Sequence, residues 1–293
     1  MKVAVVAHAG KTLDGGLPAL RRALAEAGVE DPLWYEVPKA KRAPEQVERA
    51  LAEGAELVFA WGGDGTVRRC VGVLAGTDAE LAVVPAGTAN LFATNLGIPC
   101  DIDRAVAVGL RGRRRTLDVG RFRKERFAVM AGAGFDADMM RDADDLKERI
   151  GRAAYVFSGT RHLRGSGFGA RIEVDGAEWY DGRASMILLG NLGDVFGGID
   201  VFPDAAPDDG KLELGIVTAE SAGQMLRTVA RSAVGDPSRS PFVRTTKATK
   251  VKVELDRKVR YELDGGDRSK VKSFKVAIEP GALHVRVPDE DEG

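Results

Sequence analysis

The chain has few of the residues that dominate disulfide-rich, zinc-binding and thiol-dependent proteins. Among its 293 residues there are only two cysteines, Cys70 and Cys100, and three histidines. Two cysteines cannot build a disulfide framework, and no cysteine or histidine spacing of the metal-binding kind occurs. Cys70 lies in an apolar stretch, which is typical of a buried thiol rather than of a nucleophile.

Net charge and long apolar runs are equally scarce. Charged residues make up 30% of the chain, but they balance to a formal net charge of −1. This balance argues against nucleic acid as a main partner. No apolar run approaches the length of a transmembrane helix, and residues 1–6 are typical of a strand rather than of a signal sequence. We expect a protein of the cytoplasm, or of its membrane surface.

A glycine-rich segment at residues 61–67, WGGDGTV, carries the strongest functional signal. An apolar run at 56–61 predicts a strand before it, and apolar residues at helical spacing predict a helix after it. Glycines let the backbone approach a ligand closely, and the start of a helix suits a phosphate group. The alternative is an ordinary tight turn in which Asp64 caps the helix.

A second strand, turn and helix follow directly downstream. The apolar run at 81–84 leads into PAGTAN at 85–90, and a helical stretch at 91–96 follows. Thr88 is placed to cap this helix or to bind a phosphate oxygen. Two such units in succession put two loops at the carboxyl ends of parallel strands, where open α/β sheets bind ligands.

Together, GGDGT at 62–66 and PxGTxN at 85–90 resemble the catalytic domain of the diacylglycerol kinase and sphingosine kinase superfamily. NAD kinases and 6-phosphofructokinases are more distant relatives that share the first of these motifs. Four later motifs stand in the family's order, so the resemblance covers nearly the whole chain: LDVG at 117–120, GxGFDA at 132–137, DGKLEL at 209–214 and LDG at 263–265.

The succession of elements indicates two domains. Strands and amphipathic helices alternate over the first ~120 residues, which predicts a parallel sheet with right-handed crossovers. Beyond residue 111, strand-like runs dominate and helical stretches interrupt them at 137–160 and 219–233. This order predicts an antiparallel sandwich or barrel-like domain. The runs predicted as strands there are 127–130, 170–174, 185–189, 212–217, 250–255, 259–263, 273–278 and 283–287.

The expected fold class is an α/β N-terminal domain with a parallel sheet, of the NAD kinase and diacylglycerol kinase type, plus a β-rich antiparallel sandwich C-terminal domain. The predicted bounds are 1–115 for a nucleotide-binding domain, 116–287 for a lipid-substrate domain and 288–293 for a disordered acidic tail.

For a kinase of this family, the resemblance implies that the glycine loops hold the phosphates of ATP. The family's first loop reads Asn-Pro-x-x-Gly, and here only Gly10 and Lys11 fit that pattern. Lys11 is placed to approach a phosphate as a point charge, a solvated surface lysine being the alternative. The predicted nucleotide-binding residues are Gly10, Lys11, Gly62, Gly63, Asp64, Gly65, Thr66, Gly87, Thr88 and Asn90.

The resemblance also implies magnesium, a cation that prefers oxygen ligands. Asp118 corresponds to a residue of a carboxylate–water–metal network near the domain junction. Asp209 and the backbone carbonyls around Lys211 correspond to a further metal site. The alternative for residues 209–210 is an ordinary Asp-Gly hairpin turn.

Asp264 is the candidate general base. In the family this element reads Asp-Gly-Glu, with the aspartate as the base and the glutamate near the nucleotide. Here Gly266 replaces the glutamate, and Asp267 would substitute for it only in a rearranged turn. A hairpin turn at 264–266 is the alternative.

Other positions also depart from the family. Leu91 replaces the aspartate that often follows PxGTxN, and Arg68 and Arg69 replace the Asn-Glu pair that commonly follows GGDGT. Arg68 is placed to pair with a phosphate or to lie on a solvated helix face. Despite these departures we expect ATP binding. Whether the chain also catalyses phosphoryl transfer is left open by them.

We therefore expect ATP- and magnesium-dependent phosphorylation of a lipid hydroxyl, on a diacylglycerol-like lipid or a long-chain base. The alternatives are an NAD kinase-like kinase of a soluble acceptor and a nucleotide-binding protein without kinase activity. The expected partners are the lipid substrate, a membrane surface contacted peripherally and a second copy of the chain in a homodimer. Segments 146–163 and 195–199 suit either a lipid surface or solvated protein surface, and 111–115 suits a surface cluster, a lipid head group or a nucleotide contact.

Overall fold

The computed structural model of the chain describes residues 1–134, 167–194, 201–219 and 241–289. Several predicted features lie outside these residues: the helix at 137–160, nearly all of the helix at 219–233, the segments at 146–163 and 195–199, motif residues 135–137 and the end of the tail. Within the described segments, no helix is long and apolar enough to cross a membrane.

Strands and helices alternate through the first part of the chain, as the sequence predicts. A short 3-10 helix, Ala40–Arg42, precedes the second α-helix. The elements are β1 (Val3–His8), α1 (Gly16–Glu26), β2 (Leu33–Val37), α2 (Ala43–Ala52), β3 (Leu57–Gly62), α3 (Asp64–Leu74), β4 (Glu80–Pro85), α4 (Leu91–Asn95) and α5 (Ile102–Arg111).

The rest of the described chain is built of strands. They are β5 (Arg113–Phe122), β6 (Glu125–Phe127), β7 (Met130–Ala133), β8 (Phe168–Val174), β9 (Ala177–Ala184), β10 (Met186–Gly190), β11 (Leu212–Val217), β12 (Val243–Ala248), β13 (Lys250–Leu263) and β14 (Gly266–Val287).

The first four strands form a parallel sheet in the order β4–β3–β1–β2. Every residue of β3 and β4 is buried. Helices α1 and α5 pack on one face of this sheet, and α2 and α3 pack on the other. Strands covered on both faces are continuous apolar runs, which is why the sequence predicts them well. The parallel order places the loops after β1, β3 and β4 at one edge.

An antiparallel sheet follows, in the order β12–β11–β10–β7–β13–β14. Strand β8 pairs with β13, and β5 pairs with β14. In its core the ring of Phe122 stacks on Tyr261 and on Phe274, with centroid distances of 4.5 and 4.6 Å. The expected fold class, a parallel α/β N-terminal part followed by a β-rich antiparallel part, is confirmed.

The last strand joins the two parts. β14 begins in antiparallel pairing with β13 and ends in parallel register with β4, where His284 pairs with Glu80. Arg286 adds an ion pair with Glu80 at the same place. The described chain therefore forms one continuous sheet. The predicted boundary between residues 115 and 116 falls within β5 and stays a prediction.

The single strand predicted at 127–130 is wrong. The chain forms two strands there, β6 and β7, which are separated by Ala128 and Val129. The N–H groups of these two residues donate to the carboxylate of Asp264 instead of to a neighbouring strand. The pattern of apolar residues gives no sign of a side-chain acceptor so distant in the sequence.

The predicted pairs of short strands at the end of the chain are also wrong. Residues 250–263 form one strand with register shifts after Glu254 and after Arg260, and 266–287 form one strand with a register shift after Glu279. The irregularities interrupt the alternation of apolar side chains without ending the strand, because the extra residues of a bulge are accommodated locally. The partly exposed strands β9 and β12 escape prediction altogether.

Candidate active site

Three predicted nucleotide loops lie at the carboxyl edge of the parallel sheet. They follow the neighbouring strands β1, β3 and β4. The indole N–H of Trp61, at the end of β3, donates to the backbone carbonyl of Lys11 over 3.2 Å. The backbone N–H of Gly10 donates to Nδ1 of His8 over 3.1 Å. The loop with Gly10 and Lys11 is thus held against the loop with GGDGT.

The second and third loops touch through their backbones. A Cβ atom added to Gly87 would lie only 2.4 Å from the Cα of Gly63. A Cβ atom added to Gly63 would lie 3.0 Å from the Cα of Gly87. No larger residue fits at Gly87 without moving the loops apart, since real Cβ atoms do not approach a backbone carbon this closely. The two glycine motifs therefore form one surface.

Asn90 fixes the shape of the third loop. Its Oδ1 atom accepts the backbone N–H of Gly87 over 2.8 Å, and its Nδ2 atom donates to the carbonyl of the same residue over 3.0 Å. Asn90 also adopts the left-handed region at φ 49°, which asparagine tolerates better than most residues. Because both groups of its amide bind the loop itself, Asn90 is a positioning residue.

Asp64 connects the two glycine motifs. It begins α3, yet its Oδ1 atom accepts the backbone N–H of Phe92 in α4 over 3.1 Å. Burial raises the pKa of Asp64, and the backbone N–H groups around Phe92 oppose this rise. Of the two roles predicted for Thr88, the helix cap is wrong, because Asn90 is the N-cap residue of α4 and Asp64 binds the N–H of Phe92. Thr88 is exposed and open to a ligand, whereas Thr66 is buried against Gly62.

Asp264 lies in a two-residue hairpin turn and points inward. It and Gly265 have φ of 46° and 72°, the conformation of the tight turns that join antiparallel strands. The residue is 4% exposed. Its carboxylate accepts the backbone N–H groups of Ala128, Val129 and Met130 over 2.8–2.9 Å. The hairpin turn, which was the alternative from the sequence, is therefore present, and the role of Asp264 as a general base stays a prediction.

The environment of Asp264 suits proton exchange near neutral pH. Burial raises the pKa of Asp264 to about 6, against the opposing effect of the three N–H donors and of Arg68. A general base is most effective when its pKa lies near the working pH. Helix α3, which begins within GGDGT, contacts β6 next to the break that Asp264 binds, since Arg68 donates to Glu125 and to the backbone carbonyl of Arg126.

Glu125 is a site residue that the sequence does not reveal. Its carboxylate accepts hydrogen bonds from Arg68 over 3.3 Å, from Arg268 over 3.1 Å and from the hydroxyl of Tyr261 over 3.3 Å. These guanidinium groups lower the pKa of Glu125 against the opposing effect of its burial. Glu125 belongs to no motif, and the only signal for it is its position between β5 and the break at residues 128–129.

Asp118 anchors two turns. Its Oδ2 atom accepts the backbone N–H of Gly210 over 2.6 Å, and its Oδ1 atom accepts the N–H of Gly281 over 2.7 Å. The side chain of Asn191 donates to the backbone carbonyls of Asp118 and Ala128 over 2.9 and 3.1 Å. Asp118 therefore ties the Asp-Gly turn to β14.

Asp209 is already paired with a cation of the chain. The ammonium group of Lys247 lies 2.9 Å from Oδ2 of Asp209, 3.1 Å from Oε1 of Glu213 and 3.1 Å from the carbonyl of Asp204. The other oxygen of Asp209, Oδ1, accepts the backbone N–H of Lys211 over 2.9 Å.

The predicted metal ligands do not fit a resident divalent cation at this turn. The carboxylate of Asp209 binds Lys247, and that of Asp118 binds two backbone N–H groups. Within residues 1–134, 167–194, 201–219 and 241–289, no three acidic, histidine or cysteine side chains converge as a metal centre. The metal roles of Asp118, Asp209 and Lys211 stay predictions that the geometry of this turn argues against.

Two family models match the chain. Residues 3–122 match the diacylglycerol kinase catalytic domain, and residues 129–287 match the YegS C-terminal NAD kinase beta sandwich-like domain. A protein of Cronobacter sakazakii named "Probable lipid kinase YegS-like" is 32% identical over 83% of this chain and 82% of its own length. A protein of the same name from Pseudomonas fluorescens is 31% identical over 99% and 96%.

Solved structures share the fold. A diacylglycerol kinase of Bacillus anthracis str. Sterne superposes with a TM-score of 0.79 at 21% identity, covering 98% of this chain and 96% of that one. An NAD kinase of Archaeoglobus fulgidus in complex with ATP superposes with a TM-score of 0.55 at 12% identity, covering 99% and 95%. At these identities the likeness concerns the fold alone.

The contact between Gly63 and Gly87 generates the first prediction. Gly87→Ala is expected to lower ATP affinity by about tenfold or more, since its Cβ would push the two loops apart. Gly63→Asp should act in the same direction by adding bulk and negative charge. Calorimetric titration with ATP measures the effect. The matched control is Gly72→Ala in α3, whose Cβ would meet nothing within 4 Å. An unchanged affinity in folded Gly87→Ala would refute the assignment of these loops.

The pairing of Asp209 with Lys247 generates the second prediction. Without nucleotide, magnesium should shift the melting temperature of the wild type and of Asp209→Asn equally, because the ammonium group already neutralises this carboxylate. In Lys247→Met the carboxylates of Asp209 and Glu213 lose their cation, and magnesium should then stabilise the protein. A larger magnesium shift in the wild type than in Asp209→Asn would instead establish Asp209 as a metal ligand.

The buried carboxyl of Asp264 generates the third prediction, which concerns pH. Its pKa rises from about 3.9 in the unfolded chain to about 6 in the folded one, so the unfolded state loses its proton first as the pH rises. The contribution of this carboxyl to stability is complete below pH ~4 and lost above pH ~6, a change of about 3 kcal/mol. Urea unfolding from pH 4 to 7 should show the stability of the wild type falling relative to Asp264→Asn. A constant difference would contradict the raised pKa.

Proposed function

The chain belongs to the YegS-like lipid kinases, which carry a diacylglycerol kinase catalytic domain, and on this premise we propose that it transfers the γ-phosphoryl group of ATP to the hydroxyl group of a lipid. The observation that carries the proposal is the backbone contact between Gly63 and Gly87. This contact makes one surface of two glycine loops at the edge where open α/β sheets bind ligands.

The glycine loops are the proposed phosphate cradle. Phosphoryl transfer depends on positioning and on electrostatic stabilisation of the phosphates more than on covalent chemistry by the protein. The eleven-residue helix α3 begins at Asp64, within the GGDGT motif, and the positive end of its dipole favours a nearby anion. Magnesium bound with ATP would neutralise phosphate charge. Asp64, itself a residue of the GGDGT loop, is positioned by the N–H of Phe92 in α4.

Asp264 is the proposed general base. Its carboxylate binds the break that follows β6, and Arg68 of α3 contacts β6 at Arg126. Its pKa of about 6 lets it accept the proton of the acceptor hydroxyl at neutral pH. The three backbone N–H groups hold the carboxylate in one orientation. The proton acceptor is thereby positioned before the substrate binds, which lowers the cost of reaching the reactive arrangement.

A diacylglycerol-like lipid or a long-chain base is the proposed acceptor. The support for it is membership of the lipid kinase family, and a peripheral contact with the membrane follows from an acceptor that resides there. A homodimer and a role in phospholipid synthesis remain parts of the proposal that rest on the resemblance. A soluble acceptor, as in an NAD kinase, is favoured less because the family models that match belong to the lipid kinase branch.

A binding protein without kinase activity is the second candidate. It is favoured by one observation, namely that the carboxylate of Asp264 already accepts three backbone hydrogen bonds. A carboxylate committed in this way could serve only to hold the break between β6 and β7. Turnover, rather than ATP binding, distinguishes the two candidates.

The deciding experiment incubates the protein with labelled ATP, magnesium and a total lipid extract and follows the label into lipid. Asp264→Asn should bind ATP as before but transfer phosphate about 10²–10⁴ times more slowly, because asparagine cannot accept the proton. The wild-type rate should rise with pH through a midpoint near 6, the pKa of the proposed base.

The outcomes separate the candidates. A folded Asp264→Asn protein with an unchanged rate would remove Asp264 from the mechanism and make Asp64 the next candidate base. ATP binding without transfer to any lipid or small alcohol, in the wild type as in the variant, would favour the binding protein. Circular dichroism of each variant confirms that a lost rate is not a lost fold.

A further inference from the structure

Asn191, the first residue after β10, is a buried amide that lies against the break at residues 128–129. It is only 2% exposed. Its Nδ2 atom donates to the backbone carbonyls of Asp118 over 2.9 Å and of Ala128 over 3.1 Å. Its backbone N–H donates to the carbonyl of Val129 over 2.8 Å. Asn191 thus binds the carbonyl oxygens of both residues of the break.

These two carbonyl groups belong to the peptides that hold the proposed base. The carbonyl of Ala128 shares one peptide with the N–H of Val129, and the carbonyl of Val129 shares the next with the N–H of Met130. Both N–H groups donate to Oδ1 of Asp264, over 2.9 and 2.8 Å. Two chains of hydrogen bonds therefore run from Asn191, each through one peptide group, to one oxygen of the base. Each bond in such a chain polarises the next and strengthens it.

The two oxygens of Asp264 are not equivalent. Oδ1 accepts two N–H groups, which occupy both of its lone pairs, whereas Oδ2 accepts only the N–H of Ala128 within the described part of the chain. Oδ2 therefore keeps the lone pair that a proton would occupy. Donors to the charged form of a carboxylate lower its pKa, so the chains from Asn191 oppose the effect of burial on the pKa of Asp264.

The oxygen of the Asn191 amide indicates what this position requires. The two carbonyl acceptors fix the orientation of the amide, since the reversed group would set its oxygen against both of them. Its Oδ1 atom is buried, and no donor among the residues that the structure describes reaches it. A buried acceptor without a donor is costly. The amide is present in spite of this cost, which indicates that its two donors are what the position needs.

We propose that Asn191 is a positioning residue for phosphoryl transfer, because it holds and polarises the two peptides that fix Oδ1 of Asp264 and so leaves Oδ2 to take the proton. The inference rests on the proposed function in treating Asp264 as the general base. In the transfer step the acceptor hydroxyl gives its proton to Oδ2 while its oxygen forms a bond to the γ-phosphorus. The bond from that phosphorus to the oxygen that bridges to the β-phosphorus breaks, and ADP leaves with the electron pair.

Charged side chains also stand on the elements around the break. Arg68 opposes the rise in the pKa of Asp264. The variants described below leave these charges in place, so a changed pKa would report the hydrogen bonds of Asn191. The other charged side chains are Asp118 of β5, Glu125 and Arg126 of β6, Glu262 of β13 and Arg268 of β14.

The test uses two variants of Asn191 and a matched control. Asn191→Leu keeps the approximate size of the side chain and removes both donors. Asn191→Ser is milder, because one hydroxyl group can donate to only one carbonyl. Asn95→Leu is the control, since Nδ2 of Asn95 also donates to two backbone carbonyls, those of Leu91 and Asp194, over 2.8 and 2.7 Å. The control thus loses a similar amide contact on the same segment, away from the break.

The first measurement follows the carboxyl group itself. The ¹³C resonance of the Asp264 carboxyl, assigned by its loss in Asp264→Asn, is titrated with pH in each protein. Its pKa should lie at about 6 in the wild type and in the control. It should rise by about half a unit or more in Asn191→Leu and by less in Asn191→Ser, because weaker donors stabilise the carboxylate less. This measurement requires no turnover.

The second measurement is the rate of phosphoryl transfer as a function of pH. Its midpoint should move upward with the pKa of Asp264 in the Asn191 variants and stay in place in Asn95→Leu. The rate of Asn191→Leu at neutral pH should fall about tenfold, since a loosened base is less well positioned. ATP affinity should not change, because the contact between Gly63 and Gly87 is untouched.

Three results would overturn the proposal. They are an unchanged pKa of Asp264 in the Asn191 variants, an equal shift in the control, and a shifted pKa with an unmoved rate profile. If Asn191→Leu does not fold, the same criteria apply to Asn191→Ser. A wild type that transfers no phosphate would refute the proposed function, whereas the titration would still establish or refute the effect of Asn191 on the carboxylate.

Discussion

The three hydrogen bonds from residues 128–130 to the buried carboxylate of Asp264 are the interaction on which the site depends. They separate β6 from β7 and fix the orientation of the hairpin between β13 and β14. The proposed base is therefore also a structural residue. A buried acceptor that satisfies several N–H donors is costly to remove, because each donor would be left unpaired. Any chemistry at Asp264 is therefore coupled to the integrity of the β6–β7 junction and of the hairpin.

The continuous sheet links the Asp264 hairpin to the parallel strands. β14 begins at the Asp264 turn and ends beside β4, the strand that leads into the loop with Gly87. Asp118 adds a second connection, since it binds both the Asp-Gly turn at 209–210 and the irregularity of β14 at Gly281. The proposed base and the proposed phosphate loops thus belong to one hydrogen-bonded framework, and not to two bodies joined by a linker.

The sequence predicts those features that local pattern determines. Strands β3 and β4 are buried on both faces, so their sequences are continuous apolar runs. The glycine motifs predict the loops that follow them. The partners of charged side chains cannot be predicted in this way. Glu125 meets Arg68 from 57 residues away, and Lys247 meets Asp209 from 38 residues away. Ordinary charged residues at such separations give no periodic signal, so only the fold reveals that they are neighbours. The break at 128–129 escapes prediction for the same reason.

The pairing of Lys247 with Asp209 and Glu213 gives the corner of the antiparallel sheet a counter-ion that is covalently part of the chain. A bound metal exchanges with free ions in solution. The stability of a structure that relies on one therefore depends on chelators and on the concentration of the ion. A lysine side chain has no such equilibrium, because strand β12 holds it opposite Glu213 at a fixed effective concentration. The hydrogen bond to Asp209 and the neighbouring charge raise the pKa of Lys247 further. This corner therefore needs no exchangeable cation to neutralise these carboxylates, and it keeps its counter-ion over the whole physiological range of pH.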